Sequence, residues 1–296
     1  FRNTWSWGPV PEECTTKPSI TLERDGLVRA RHEVLGEYEL AYEGAATPLF
    51  TDNETNAKRL YGYMDGTAFA KDAFHEHVIY GRTEAVNPAN IGTKFAPHYI
   101  LEIGPGESQV VRLRLSAKTV SESKNAFGDF DEIFNKRIAE ADEFYHAIAP
   151  NGCDKEALNV ARQGYAGLLW SKQFYNYVIR EWLNGDPGQP KPPPERHDGR
   201  NAEWKHLFNR DIISMPDKWE YPWFAAWDLA FHMVPFSKVD PFFAKKQLEL
   251  FLREWYMHPN GQLAAYEFAF GDVNPPVHAW AVWRVYKMTG PRGQRD

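Results

Sequence analysis

The sequence predicts a chain of two parts, an antiparallel β-sandwich over about residues 20–118 followed by a helical region whose long helices and intervening loops fit a helical barrel. Three observations carry this. The apolar period changes from two to 3.6 residues near position 119. Gly, Pro and Asn turns punctuate the first part at short intervals. Nine of the eleven tryptophans lie from Trp170 onward, where helical patterns meet polar loops; only Trp5 and Trp7 precede them.

In the β part, "SITLERDGLVRARHEV", "GEYELAYEG", "HEHVIYGR" and "HYILEIGPGESQVVRLRLS" read as strands. In "QVVRLRLSA", Val111, Leu113 and Leu115 alternate with Arg112 and Arg114, which predicts one buried and one solvated face. "IGPGES" supplies a turn, so residues 99–115 read as a hairpin. His75 and His77 would share one face of a surface strand. No third ligand follows at a recognisable spacing, so a metal is not expected.

Beyond residue 119, Phe130, Ile133, Phe134, Ile138, Ala141 and Phe144 recur at spacings of three and four, as on a helix. The same pattern runs from Asp154 to Leu183 and stops at Gly185, Asp186 and Pro187. "DPGQPKPPPERHDGRN" is a proline-rich connection. A helix follows in "WFAAWDLAFHMV", ended by Pro235. Another runs from Pro241 to about Met257, with Asp240 as N-cap and "HPNG" as its stop. A last one opens at "NPPVHAWAVWRVYKM". The expected organisation is therefore a β-sandwich region over 1–118, incomplete at its N-terminus, a linker helix over 119–150, and a helical domain over 151–296.

A net charge of -6 and a pI near 6.0 leave no basic footprint for nucleic acid or an anionic membrane. Cys14 and Cys153 stand outside any paired motif and read as free thiols, which leans toward the cytoplasm. No apolar run approaches the roughly 18 residues needed to span a bilayer. The chain begins with Phe1 and ends just after a helical pattern, so a piece of a longer protein is expected, from which a signal peptide could have been removed.

Three constellations could carry chemistry. A helix through "YPWFAAWD" would set Trp223 and Trp227 at i and i+4 with Asp228 one position round. Indole faces suit the C–H patches of a sugar ring, and a carboxylate grips paired hydroxyls. The competing reading is a buried aromatic core with Asp228 satisfied by backbone or a tryptophan N–H. In the sugar reading Asp228 is a binder and Glu220 serves the helix entrance. In "PNGQLAAYEFAFGDVNPP", Gln262, Tyr266, Glu267, Asp272 and Asn274 stand beside Phe268 and Phe270, as a cleft wall or as an ordinary helix connection. In "LLWSKQFYNY", Trp170, Gln173, Phe174 and Tyr175 would lie on the long helix, where packing is the competing role. "GPGES" lacks the lysine and helix start of a phosphate loop, and no G-x-S-x-G elbow occurs. A carboxylate mechanism without cofactor is the remaining common enzymatic option.

The stretch "MPDKWEYPWFAAWDLAFH" followed by "REWYMHPNGQLAAYEFAFGDVNPPVHAWAVWRVY", with weaker support from "LFTDNETN" and "NPANIGTKFAPHY", resembles the bacterial branch of glycoside hydrolase family 63. That family includes α-glucosidases and the related mannosylglycerate and glucosylglycerate hydrolases. The resemblance implies a β-sandwich followed by the first helices of an (α/α)6 toroid of the six-hairpin glycosidase type. It also implies inverting hydrolysis of an α-glucosidic or α-mannosidic bond in an oligosaccharide or small α-glycoside, with the acid and base about 6.5–9.5 Å apart. Tyr221, Trp227 and Asp228 match residues lining the sugar subsite, and Gln262 to Glu267 match its polar loop. The family's general acid lies in a downstream G-x-D-N motif and its base later still; this sequence contains no such motif. The segment by itself is therefore expected to be inactive. A local variant would make Asp228 and Glu267 acid and base. Outside enzymes, the alternatives are a non-catalytic glycan-binding protein and a helical scaffold.

Overall fold

A computed structural model describes residues 16–62, 66–117, 125–149, 152–185, 191–199, 201–268 and 271–291. Trp5, Trp7, Cys14 and Phe270 fall outside these residues. The chain divides into two compact units, residues 1–136 and 137–296.

The first unit begins with β1 (Ser19–Arg24), β2 (Leu27–His32) and β3 (Gly36–Tyr42). A two-residue Asp25–Gly26 turn joins β1 to β2, and Gly26 takes a φ of 78°, which a side chain would resist. β4 (Thr47–Thr51), α1 (Ala57–Tyr61), α2 (Ala73–Tyr80), β5 (Ile91–Gly92), β6 (Lys94–His98) and β7 (Leu113–Ala117) follow. One antiparallel sheet has the order β5-β1-β2-β3-β7, and β4 pairs with β6 in a second. Period-two alternation puts Ile20, Val28, Ala30 and Leu40 on one face, where Phe50 and Phe95 of the second sheet pack against them. The opposite face is laced by cross-strand ion pairs, Arg29 with Glu39 at 3.3 Å and Arg31 with Glu37 at 3.1 Å.

Three expectations fail in this unit. "HEH" lies in helix α2, which ends at a left-handed Gly81 and sinks Ala73 and Phe74 against Leu49, Ala85 and Val86. That packing outweighs a strand reading based on two alternating histidines. The 99–115 hairpin does not form. β7 instead pairs with the free edge of β3, Leu115 opposite Leu40, and Ile100 and Val110 stay exposed. The predicted faces of β7 are also reversed. Leu113 and Leu115 are about half exposed, whereas Arg112 and Arg114 pair with Asp131 at 3.0 Å and Asp129 at 2.5 Å and lie over the Phe130 ring. A neutralised guanidinium on an aromatic face can be covered more cheaply than an alternation rule assumes.

β5 passes so close to the end of β4 that a Cβ on Gly92 would overlap the Thr51 carbonyl oxygen. Gly92→Ala is therefore expected to destabilise this unit by about 1–3 kcal/mol through overpacking of backbone. Urea unfolding followed by circular dichroism measures it. An unchanged midpoint would contradict the close approach.

The helical part comprises α3 (Phe130–Ile148), α4 (Lys155–Trp170), β8 (Lys172–Val178), α5 (Ile179–Asn184), β9 (Phe208–Ser214), α6 (Ala226–Val239), α7 (Pro241–Leu250) and α8 (Val277–Thr289). The helix expected over Asp154–Leu183 is broken. β8 and β9 pair antiparallel through seven residues each, from Lys172 opposite Ser214 to Val178 opposite Phe208. The aromatic, period-two stretch Gln173–Tyr175–Tyr177 fits a pleated ladder better than a helical turn. α6 runs through Pro235 instead of ending there. The proline removes one helical hydrogen bond, a cost of about 3 kcal/mol. Burial of Met233 and Phe236 on either side, each contributing about 1.5–3 kcal/mol, offsets that. α7 begins as expected, with Pro241 in its first turn and Asp240 Oδ1 accepting from Phe243 N at 2.9 Å, but it ends at Leu250 and gives way to turns. α6 packs against both α7 and α8 around Leu229, Met233, Phe236, Leu248, Phe251 and Val285. Among the described residues, no helix is long and apolar enough to cross a membrane.

Candidate functional site

The aromatic run ahead of α6 is extended, not helical. Ala225 bridges antiparallel to Tyr266, and Ala226 N donates to Ala265 O at 2.8 Å, so the backbone at 225–226 is tied to residues 265–266. Trp223 therefore lies before the helix, and the expected i, i+4 pairing with Trp227 is lost. Extended backbone sends successive side chains to opposite sides. Phe224 goes inward, fully buried, while Tyr221 and Trp223 stack on the other side with ring centroids 4.3 Å apart.

The facing segment alternates in the same way. Tyr266 and Phe268 join the rings, with Phe268 5.5 Å from Trp223 and 5.9 Å from Tyr266, and Glu267 turns away with no exposed surface. The two segments together make a ring wall of Tyr221, Trp223, Tyr266 and Phe268. Asp272 accepts a hydrogen bond from the Tyr266 hydroxyl, and that bond raises the phenol pKa. Trp223 Nε1 is buried and has no partner among the described residues.

Behind the wall, Glu267 accepts a short hydrogen bond from the Tyr175 hydroxyl of β8. Its backbone carbonyl accepts from Asn201 Nδ2 at 2.5 Å, and Asn201 Oδ1 accepts from the Tyr177 hydroxyl at 2.6 Å. Asn201 holds a left-handed φ of 67°, a conformation asparagine tolerates better than most residues. Asp211, directly across the ribbon from Tyr175, accepts through Oδ2 from the Tyr256 hydroxyl at 3.2 Å. Burial first, then the Asp211 carboxylate and the charge of Glu267, push the Tyr256 phenol above its ordinary range. Glu267 thus ties the ring-bearing segment to the ribbon and is enclosed from solvent.

Asp228 is placed differently. It sits half-buried in the first turn of α6, where the exposed amide end of the helix favours a carboxylate. Among the described residues it makes no hydrogen bond or ion pair, so neither backbone nor an indole N–H satisfies it. One turn on, His232 Nδ1 lies 3.0 Å from the buried Ser214 hydroxyl. Burial depresses the His232 pKa, and the charge of Asp228 partly opposes that shift.

The other expected residues scatter. Trp227 is 40% exposed and packs on Phe231, which in turn meets Trp280. Trp170 is exposed, with the Lys218 ammonium 4.1 Å from its ring centre, and Gln173 Nε2 reaches Asp217 O at 3.5 Å. Gln262 belongs to the turn after α7, with its N donating to Asn260 Oδ1 at 2.8 Å. Glu220 is exposed, and its N–H helps Asp217 close a tight turn. Tyr177, Asn201, Asp211 and Tyr256 belong to no recognisable motif, and Tyr175 lies on a strand where a helix is expected. The alternations Gln173–Tyr175–Tyr177 and Asn209–Asp211–Ile213 were the signals that mark one polar, ring-bearing face of a ribbon.

Chemically, the ring wall offers apolar ring faces and a buried indole N–H, and Asp228 in the first turn of α6 is a carboxylate with unused acceptor capacity among the described residues. Among curated proteins, the chain is similar to the Saccharomyces cerevisiae "Uncharacterized protein YMR196W", with 44% identity over an alignment 323 positions long that covers 97% of this chain. The alignment covers 29% of the yeast protein, so the chain spans less than a third of that relative's length. No protein-family model matches.

Proposed function

We propose that this chain is the sugar-holding part of a carbohydrate-active hydrolase of the glycoside hydrolase family 63 type. The observation that carries the reading is Asp228, a half-buried carboxylate without a partner among the described residues, close in sequence to the Tyr221 and Trp223 rings. A hexose presents C–H patches to such rings and vicinal hydroxyls to such a carboxylate. α6, α7 and α8 supply the first packed helices of the toroid, and the longer protein hydrolyses an α-glucosidic or α-mannosidic bond with inversion.

Glu267 supports the wall and takes no part as acid or base, because Tyr175 holds it away from solvent. The chain's own residues bind and orient; the proton-transferring carboxylates belong to the remainder of a longer protein. The enclosure of Glu267 equally favours a second reading, a glycan-binding protein without catalysis.

Titration of the 1–296 chain with maltotriose and with α-1,2-mannobiose, followed by tryptophan fluorescence, is expected to give a saturable change for one of them. Asp228→Ala should weaken it at least tenfold, a loss of about 1.4 kcal/mol or more. Silence with both sugars in a folded protein would sink the sugar-holding reading. Turnover of an aryl α-glucoside by the same chain would overturn the absence of a local acid and base.

A further inference from the structure

The β-rich unit holds a cleft of about 650 Å³ between α1, α2 and the turn after α2. Its floor is apolar and small: Ala70 and Ala73 are nearly inaccessible, and Ala68 and Ala85 flank them. Its walls are polar. Asn56 Nδ2 lies 3.2 Å from both oxygens of Asp72, and Arg59 Nη1 reaches Asp72 at 3.3 Å and Glu76 at 3.0 Å. Arg82 Nη1 binds the second oxygen of Glu76 at 2.6 Å, and its guanidinium lies 5.7 Å from the Tyr80 ring centre. Glu84 completes the lining.

We propose that this cleft is a ligand site for a neutral polyhydroxylated molecule, a saccharide. The charge pattern selects the class. Three carboxylates repel an anion, and two guanidinium groups repel a cation. The ion pairs cancel most of this charge and leave a single net negative charge, which disfavours an anion and draws a cation only weakly. What remains is an alternation of fixed donors and acceptors. Arg59 and Arg82 each spend one nitrogen on the Glu76 bridge and leave the others without a partner among the described residues, and both side chains are 61% exposed. Such guanidinium groups donate to hydroxyl oxygens while neighbouring carboxylates accept from hydroxyl hydrogens. Tyr80, 65% exposed at the rim, offers a ring face for C–H contact. The volume falls within the range of small-molecule sites. Glu76, held from two sides, fixes the geometry before a ligand arrives.

Ala68, Ala70, Ala73 and Ala85 provide methyl probes inside the cleft, resolved by assignment from those of Ala225, Ala226 and Ala265 beside the ring wall, and no tryptophan lines the cleft among the described residues. The full 1–296 chain carrying ¹³C-methyl alanine is titrated with maltotriose and with α-1,2-mannobiose into the millimolar range. The expected result is saturable movement of the Ala70, Ala73 and Ala85 methyl signals for one sugar. Tyr80→Ala, a change at an exposed position, should weaken that response about tenfold while leaving tryptophan fluorescence titrations unchanged. Asp228→Ala should leave the methyl response unchanged. No methyl movement with either sugar overturns the proposal. Movement abolished by Asp228→Ala, or produced by inorganic phosphate and not by sugar, overturns it as well. Loss of tryptophan response with the methyl response intact would count against the ring wall alone.

Discussion

Phe224→Ala is expected to lower the stability of the helical unit by about 3–5 kcal/mol. Phe224 has no exposed surface and stands edge-on to two rings, Phe251 at 5.2 Å and Tyr256 at 5.9 Å, which are themselves stacked 5.2 Å apart. Truncation removes the burial of a whole aromatic side chain and leaves a cavity that three fixed elements cannot close. It also has a functional readout, because Phe224 anchors the extended backbone that aims Trp223 outward. Urea unfolding gives the stability change, and the emission maximum in the native baseline reports Trp223. A loss below about 1 kcal/mol would mean that the segment repacks and that Phe224 does not fix the wall. Phe224→Leu should recover much of the stability, since it keeps most of the buried apolar volume.

Tyr175→Phe is expected to cost about 1.5–3 kcal/mol, the value of a hydrogen bond to a charged group whose partner stays buried. Glu267 has no exposed surface and accepts from the Tyr175 hydroxyl, so the substitution strips a donor from an enclosed carboxylate without creating a large cavity. A double-mutant cycle with Glu267→Gln separates this from general packing. In the Glu267→Gln background the same Tyr175→Phe change should cost clearly less, because a neutral amide needs the donor less. Equal costs in both backgrounds would show that Tyr175 contributes packing only. If the pair holds the ring wall, the sugar-dependent fluorescence change should weaken in the single variant and recover in part in the double variant.

The candidate site was legible in residue type more than in position. Trp223 stands out by its ring, Tyr266 as a polar group beside Phe268 and Tyr221 through the family resemblance, and the structure groups all three with Phe268. Trp227 was selected by helical spacing, which fails because the backbone ahead of Ala226 bonds to the 265–266 segment. Glu267 was selected as a polar wall residue, yet the alternation of an extended segment turns it inward toward Tyr175. That partner is 92 positions away in sequence, beyond the reach of any spacing rule.

By itself, the sequence determined what depends on neighbours along the chain. The change of period near residue 119, the apolar stripe of α3 and the Asp240–Pro241 start of α7 all follow from local hydrogen bonding and side-chain spacing. Tertiary structure decided what depends on competition between partners. The seven-residue pairing of β8 with β9 turned an expected helix into a ribbon, and two acidic residues beside Phe130 made the arginine side of β7 the covered one. The backbone of 225–226 is bonded to residues 265–266, which is why two tryptophans four positions apart serve different surfaces. Local propensities differ by about 1 kcal/mol or less per residue, whereas a ladder or a buried ring contributes several, so long-range contacts prevail where the two disagree.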